Sequence, residues 1–313
     1  MKKKIFEVTS HRWMNEKRPK VKASTFAHYE YMMRRHIVPF FGPMVKMRNR
    51  DVRRFVNKKV KCGMSTKTIK NMTIVLKMAW EKHCRVNRLR DCIDWKGLVP
   101  CNYVEKSLPV LKVDDERRFI EYIKAHPTRK NVGLLLCVNT GLRIGELCGL
   151  KWGDVDWENR CIRVSRTVSR IYTPSLPGQA RHTQVVVTAP KTPKSVREVP
   201  LTEDMTDLLS TFGKETTRDF FILTGKLKPL EPRTYRYHYV KLMDELGIRN
   251  IRFHGLRHTF ATRCIESKCD YKTVSDILGH ANIATTLNLY VHPGREQKRQ
   301  CISQMLEYVT SDE

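Results

Sequence analysis

The chain has 313 residues, 41% of them hydrophobic and 9% aromatic, which is enough to bury ordinary cores and excludes general disorder. Its net charge of +27 is uneven: residues 1–100 hold 26 Lys and Arg against 7 Asp and Glu, whereas residues 101–313 hold 33 against 25. A region this basic repels itself unless it meets a polyanion, which points to nucleic acid; no signal-peptide core, lipidation motif or membrane-length apolar run directs the charge to a bilayer.

From about Lys22 to Arg90 the pattern predicts helices. Thr25, Tyr29, Met32, Met33 and His36-Ile37 recur at helical spacing, and Pro39-Phe-Phe-Gly42-Pro43 stops the run. A second helix is expected over Arg50–Lys61, ended by Gly63. Ser65 is placed to cap a third over Thr66–Lys82, with Ile69, Met72, Leu76 and Ala79 as its apolar stripe. Lys67, Lys70 and Lys77 lie among these residues. Such lysines usually only face solvent, but here the surrounding charge favours phosphate contacts, which hold a protein on nucleic acid without reading its sequence. A helical DNA-binding domain is accordingly set at residues 1–93.

Residues 94–110, with Gly97, Pro100 and Pro109 and little periodicity, read as a linker. A second domain is expected over 111–313. Asp114 is the expected N-cap of Asp115–Lys124, an apolar helix runs from about Asn131 to Thr140, Gly141 breaks it, and a new helix begins near Ile144. Strand patterns follow at Cys161–Val168, Thr183–Thr188 and Val196–Leu201, with Ala189-Pro-Lys191-Thr-Pro-Lys194-Ser as the turn between the last two. One small antiparallel sheet with lysines on its hairpin is inferred. From Leu201 onward the chain is mainly helical, ending in an amphipathic helix near Glu296–Val309 with Ile302, Met305, Leu306 and Val309 on one face. The expected fold is mainly α with a small antiparallel sheet: an all-α N-terminal domain and an α+β domain.

Ten scattered cysteines without a Cys-x-x-Cys pair read as reduced thiols. Cys264 and Cys269, near His258 and His280, match no common zinc spacing. The chemistry concentrates elsewhere, in Thr140-Gly-Leu-Arg143-Ile-Gly-Glu146-Leu, His254-Gly-Leu-Arg257-His, Leu278-Gly-His280 and Tyr290. Two guanidiniums, two imidazoles and a phenol can attack a phosphodiester without a metal. A phenol, with an ordinary pKa of about 10, is a poor nucleophile near neutrality. A neighbouring base and a cation-bound phosphate remedy that.

If a helix begins near Leu256, His254 and Arg257 project from one side of its N-terminus, where backbone N–H groups favour phosphate. The rival is a metal held by His254 and His258. It places an arginine between the ligands of a dication and offers no carboxylate within the motif, so phosphate is preferred. Gly279 reads as a left-handed stop that fixes the exit of His280, and Asn282 as the cap of Ile283–Leu289, leading to Tyr290. Most tyrosines simply pack or hydrogen-bond; the placement of Tyr290 after the other members singles it out.

Together these motifs resemble the tyrosine recombinase (phage-type integrase) family over nearly the whole chain. Thr140–Leu147 is similar to the family's first arginine box. Lys191 is similar to its hairpin lysine, with Pro193 where many relatives carry a lysine and Lys194 as the alternative. His254–Phe260 is similar to the second box, and Leu278-Gly-His280 with Thr285–Tyr290 to the third. Lys22–Arg90 resembles the core-binding domain, which is SAM-like in the family. The resemblance implies strand cleavage and rejoining through a covalent 3′-phosphotyrosyl intermediate, with Arg143, Lys191, His254, Arg257, His280 and Tyr290 as the catalytic set. Glu146 is expected to buttress the first box.

No cofactor or metal is implied. The expected partner is double-stranded DNA, bound in the cytoplasm and at the nucleoid, by a homo-tetramer whose C-terminal helix docks on a neighbouring protomer. Integration or excision of a mobile element and accessory DNA-bending or excision proteins fit the same picture. Competing readings are a topoisomerase-like enzyme, a non-catalytic regulator using Ser65–Ala79 as a recognition helix, and a metal-dependent nuclease. The six-residue set argues against the regulator, which has no use for a phenol among cations.

Overall fold

Helix α5, Thr66–Asn87, is the spine of the N-terminal unit in the computed structural model, and α1, Phe6–Lys17, lies against it. The structure describes residues 5–98, 109–173, 182–190, 195–249, 251–290 and 295–310. They divide into two compact units, one of Met1–Lys106 with Ile171–Gln184, the other of Ser107–Arg170 with Val185–Glu313. Most of the expected linker, residues 99–108, lies outside the described residues.

As expected, Ser65 Oγ accepts from Thr68 N at 3.2 Å and starts α5. The helix runs past Lys82 to Asn87 because its buried stripe does not stop at Ala79: Trp80, His83, Cys84 and Asn87 continue it, until Arg88 turns left-handed at φ 51°. Sequence periodicity did not reveal α1, since its buried side mixes Phe6 and Trp13 with Thr9 and Ser10. Both hydroxyls make local bonds, Thr9 Oγ1 to Phe6 O at 3.0 Å and Ser10 Oγ to Glu7 O at 2.7 Å, so each polar group enters the interior paired.

Proline 39 does not stop its helix. After α2, Ala23–Met32, the backbone opens into a π turn over Met33–Ile37, closed by Val38 N donating to Met33 O. A proline cannot donate to the carbonyl four residues back and its ring crowds that carbonyl, so the wider turn relieves the clash. The chain then continues as α3, Val38–Phe41, and the stop comes at Gly42-Pro43. Helix α4, Asn49–Lys61, completes the unit, whose core includes Phe6, Met33, Ile37, Phe41, Phe55, Ile69, Met72 and Leu76.

The second unit is built around α7, Arg129–Thr140, which is buried on nearly every side. Helix α6 spans Val113–Ala125. Its N-cap is Lys112 rather than Asp114, and Asp114, Asp115 and Glu116 occupy the first turn, where carboxylates complement the helix dipole. After the short α8, Ile144–Leu147, come β1, Val155–Asp156, and β2, Cys161–Val164. Strand β3 is Thr167–Thr173, β4 is His182–Thr188 and β5 is Arg197–Pro200.

The single sheet expected from sequence is two. Strands β1, β2 and β5 form an antiparallel sheet in that order, with buried Ile162 opposite Val199, while β3 and β4 pair separately. The alternating run Cys161–Val168 breaks after Val164, where Arg166 turns aside to pair with Asp154 and to donate to Gly149 O at 3.5 Å.

The remaining helices are α9, Glu203–Gly213, α10, Pro232–Glu245, α11, His254–Glu266, α12, Tyr271–Leu278, α13, Ala284–Tyr290, and α14, Arg295–Thr310. On α14, Ile302 and Val309 are 58% and 70% exposed, and Met305 and Leu306 are also open. No helix among the described residues is long and apolar enough to cross a membrane.

Candidate active site

Two helix ends create the site. Helix α7 ends at Thr140, and Gly141 takes φ +65°, a left-handed conformation natural to glycine. A Cβ on Gly141 would also stand 2.6 Å from Leu278 Cδ2 and 2.7 Å from Phe260 Cδ1. Helix α12 ends at Leu278, and Gly279 turns away at φ +65°, as its sequence position suggested. Helix ends leave carbonyls without intrahelical partners, and their partial negative charge attracts cations.

Arginines supply those cations. Arg257, only 1% exposed, donates from Nη1 to Gly141 O at 2.8 Å and from Nη2 to Leu278 O at 2.7 Å, tying the two helix ends together. Arg143 reaches the next carbonyl, Gly279 O, from Nη2 at 3.4 Å. Arg197 takes the previous one, Ile277 O, from Nε at 2.5 Å. Three consecutive carbonyls thus hold three guanidiniums.

Glu146 balances part of this charge. At the start of α8 its carboxylate accepts Arg143 N at 3.0 Å and Arg143 Nη1 at 2.7 Å, and it also pairs with Arg197 Nη2 at 3.1 Å. Burial alone would push the Glu146 carboxyl up, but Arg197 and then Arg143 outweigh it and hold the acid below its ordinary range. The buttress role expected of Glu146 is what this geometry supports.

Helix α11 begins at His254, two residues earlier than expected, so His254, Arg257 and His258 all belong to its first turns. The His254 and His258 rings meet edge-on with centroids 4.6 Å apart. No third metal-ligating residue joins them to form a cluster among the described residues. His254 keeps an exposed side, yet packing, then His258, Arg257 and Arg143, push its pKa down to about 4. His280 is pushed down to about 4 by burial and then by Arg257, Arg143 and Arg197. Both imidazoles are therefore neutral near pH 7, in a pocket whose positive charge is carried by guanidiniums.

His280 Nδ1 lies 2.8 Å from the hydroxyl of buried Thr286 on α13. If that hydroxyl donates, Nε2 carries the ring proton and is free to act as a donor. Asn282 Oδ1 accepts from Ala284 N at 2.9 Å, so the cap works as foreseen while the helix starts one residue later. Helix α13 packs against α11 and α12, and Tyr290 is its last residue.

The structure thus brings together Arg143, His254, Arg257 and His280, with the backbone of Tyr290 on an adjoining helix. The Tyr290 side chain, Lys191 and Lys194 lie outside the described residues. Sequence reasoning missed Arg197 and Thr286. Arg197 did leave a signal: it shares the inward side of β5 with buried Val199, an unusual place for an unpaired cation.

Comparison with known proteins agrees with this geometry. The Phage integrase family matches residues 109–297, and the description "Phage integrase, N-terminal SAM-like domain" matches residues 5–60. A tyrosine recombinase XerC-like protein of Caldanaerobacter subterraneus subsp. tengcongensis is 28% identical over 93% of this chain and 80% of its own length. The transposase from transposon Tn916 of Enterococcus faecalis is 28% identical over 89% of this chain and 72% of its own. Among solved structures, the Tn1549 transposon integrase in complex with transposon right end DNA superposes with a TM-score of 0.79 at 23% identity. That match covers 96% of this chain and 99% of the other.

Proposed function

The chain belongs to the phage integrase family, and on that premise we propose that it is a tyrosine-type site-specific recombinase that integrates or excises a mobile element. The observation that carries this reading is the fixed placement of Arg143 and Arg257 on helix-end carbonyls beside two neutral imidazoles. Such a pocket binds a phosphodiester and stabilises charge that grows on its oxygens.

Tyr290 attacks phosphorus; the bond from phosphorus to the 5′ oxygen breaks as the phosphotyrosyl bond forms. The exchange conserves bond energy, so the step consumes no nucleotide cofactor. Arg143 and Arg257 neutralise the non-bridging oxygens. His254 accepts the phenolic proton, and the arriving phosphate raises the pKa of that ring from about 4 towards the range where it is an effective base. His280 donates from Nε2 to the phosphate, its Nδ1 being engaged by Thr286. Lys191 gives a proton to the departing 5′ oxygen. Reversal by the 5′ hydroxyl of another strand completes the exchange.

Residues 1–93 serve as the core-binding domain on double-stranded DNA, 94–110 as linker and 111–313 as catalytic domain. The chain acts in the cytoplasm on nucleoid DNA, with accessory DNA-bending or excision proteins. The open apolar face of α14 docks on a neighbouring protomer in a homo-tetramer on synapsed DNA. Truncation after His292 is expected to abolish that assembly, and unchanged assembly on DNA would defeat the docking role. The decisive test of chemistry uses a nicked duplex spanning the end of the element that encodes the chain. Tyr290→Phe should bind this DNA and form no covalent adduct; an undiminished adduct would remove Tyr290 from its role.

A further inference from the structure

Arg197 sits on β5 with its side chain 6% exposed. Besides Ile277 O, it donates from Nη1 to Ser195 O at 3.2 Å, so the backbone holds one side of its fork. The other side faces Glu146: Nη2 meets Oε2 at 3.1 Å and Nη1 reaches Oε1 at 3.4 Å. The same two oxygens accept Arg143 Nη1 and Arg143 N. One carboxylate, 4% exposed, is therefore shared by two guanidiniums.

The sharing matters because only one of the two arginines can meet a substrate. Arg143 is 37% exposed and spends one N–H on Glu146 and one on Gly279 O. A guanidinium has five N–H donors, so three remain without a partner among the described residues. Were Glu146 paired with Arg143 alone, the carboxylate would cancel the charge that a phosphate needs to see. With Arg197 present, the trio keeps a net positive charge, and its accessible end is Arg143.

We propose that Arg197 is a positioning residue for strand cleavage: it offsets the charge of Glu146, so that Arg143 meets the scissile phosphate in a fixed orientation with its positive charge uncompensated. It acts through Glu146 and the end of α12 and touches no reacting atom. The role rests on the phosphate-binding reading of the pocket given above. It also explains how a deeply buried carboxylate stays ionised at the start of α8.

The test uses the full chain with inorganic phosphate as the probe, followed through the ring resonances of His254 and His280 by NMR. Arg197→Ala is expected to weaken phosphate binding by about tenfold, the effect of an unbalanced carboxylate beside the anion site. Adding Glu146→Gln removes that carboxylate's charge at nearly constant size, and the double variant is expected to regain most of the loss. Arg197→Lys, which keeps the charge but not the fork, should remain within about threefold of the parent.

Thermal melts establish that each variant is folded. Should Arg197→Ala fail to fold, Arg197→Gln, which fills more of the space without charge, takes its place with the same expected loss and the same rescue. Phosphate affinity unchanged by loss of Arg197, or a loss that Glu146→Gln does not relieve, overturns the proposal, because a merely structural arginine would not be rescued by removing its partner's charge. Covalent adduct formation on DNA is scored separately. Its absence in the parent would sink the recombinase reading while the phosphate comparison still decides the role of Arg197.

Discussion

The two units treat charge in opposite ways. In the N-terminal unit the described Lys and Arg side chains stay outside the core, the interior is mainly apolar with its few polar groups paired, and the most deeply buried ionisable group described there, His83, is kept neutral. Its Nε2 donates to Val45 O at 2.9 Å, and its Nδ1 lies 2.7 Å from Thr9 Oγ1, whose one proton is shared between this nitrogen and Phe6 O. In the C-terminal unit two guanidiniums and a carboxylate are buried together, at Arg197, Arg257 and Glu146. A cation on a surface is hydrated and screened and works by number; a cation held by carbonyls inside a fold is desolvated and works by position. The first arrangement suits a tract of phosphates and the second a single one.

The contrast is broken most severely at Arg257. A lysine there lacks the planar fork that reaches Gly141 O and Leu278 O from two separate nitrogens, and Arg257→Lys should slow adduct formation on a nicked duplex by about 10²–10³-fold. A single-turnover rate within tenfold of the parent would show that the bidentate grip is dispensable.

Next in size is His83. Removing it from the core by His83→Ala should cost about 2–4 kcal/mol through the cavity and the unpaired Val45 carbonyl, as read from denaturant unfolding. The pH dependence has a definite sign. Because burial lowers the pKa of His83, the folded chain refuses a proton that the unfolded chain accepts near pH 6.5. Its contribution is complete above that pH and is lost as the solution is acidified. His254, His258 and His280 are lowered as well and add to the slope, so His83→Ala should flatten the acid decline of the melting temperature only in part. A decline of equal steepness in the variant would show that His83 is not among its causes.

Gly279→Ala should have a smaller effect. The left-handed φ of +65° costs an alanine about 1 kcal/mol, and its Cβ would press on the Arg197 guanidinium from 3.0 Å. A melting temperature lowered by a few degrees is the expected result. The smallest effect belongs to the exposed lysines of α5. Lys67→Ala or Lys70→Ala should leave the melting temperature alone and reduce the salt dependence of DNA binding by about one unit of slope each. Loss of stability in either would show that the lysine packs as well as steers.

Much of this was legible from sequence, for identifiable reasons. Local signals survived: Ser65 capped its helix, Gly141 and Gly279 turned left-handed where the pattern broke, and Arg143, Arg257, His254 and His280 fell within motifs of fixed spacing. What escaped depended on partners distant in the chain. Helix α1 hid because two of its four buried residues are polar and pair with carbonyls one turn back. The break between β2 and β3 depends on Asp154, which no alternation pattern includes. Arg197 looked like one more strand residue because its meaning lies 51 residues upstream, in Glu146, and 80 residues downstream, in Ile277 O.

Among the described residues, the arginine grip on the end of α12 runs through main-chain oxygens of residues 277–279. No polar side chain of this helix is asked to recognise an arginine, so its amino acids can drift widely provided the length and the final left-handed step are kept. Deleting or inserting one residue before Gly279 would rotate the three acceptors by about 100°, since a helix turns once in 3.6 residues. Tolerance of substitution alongside intolerance of a frame change is therefore the mutational fingerprint this segment should display.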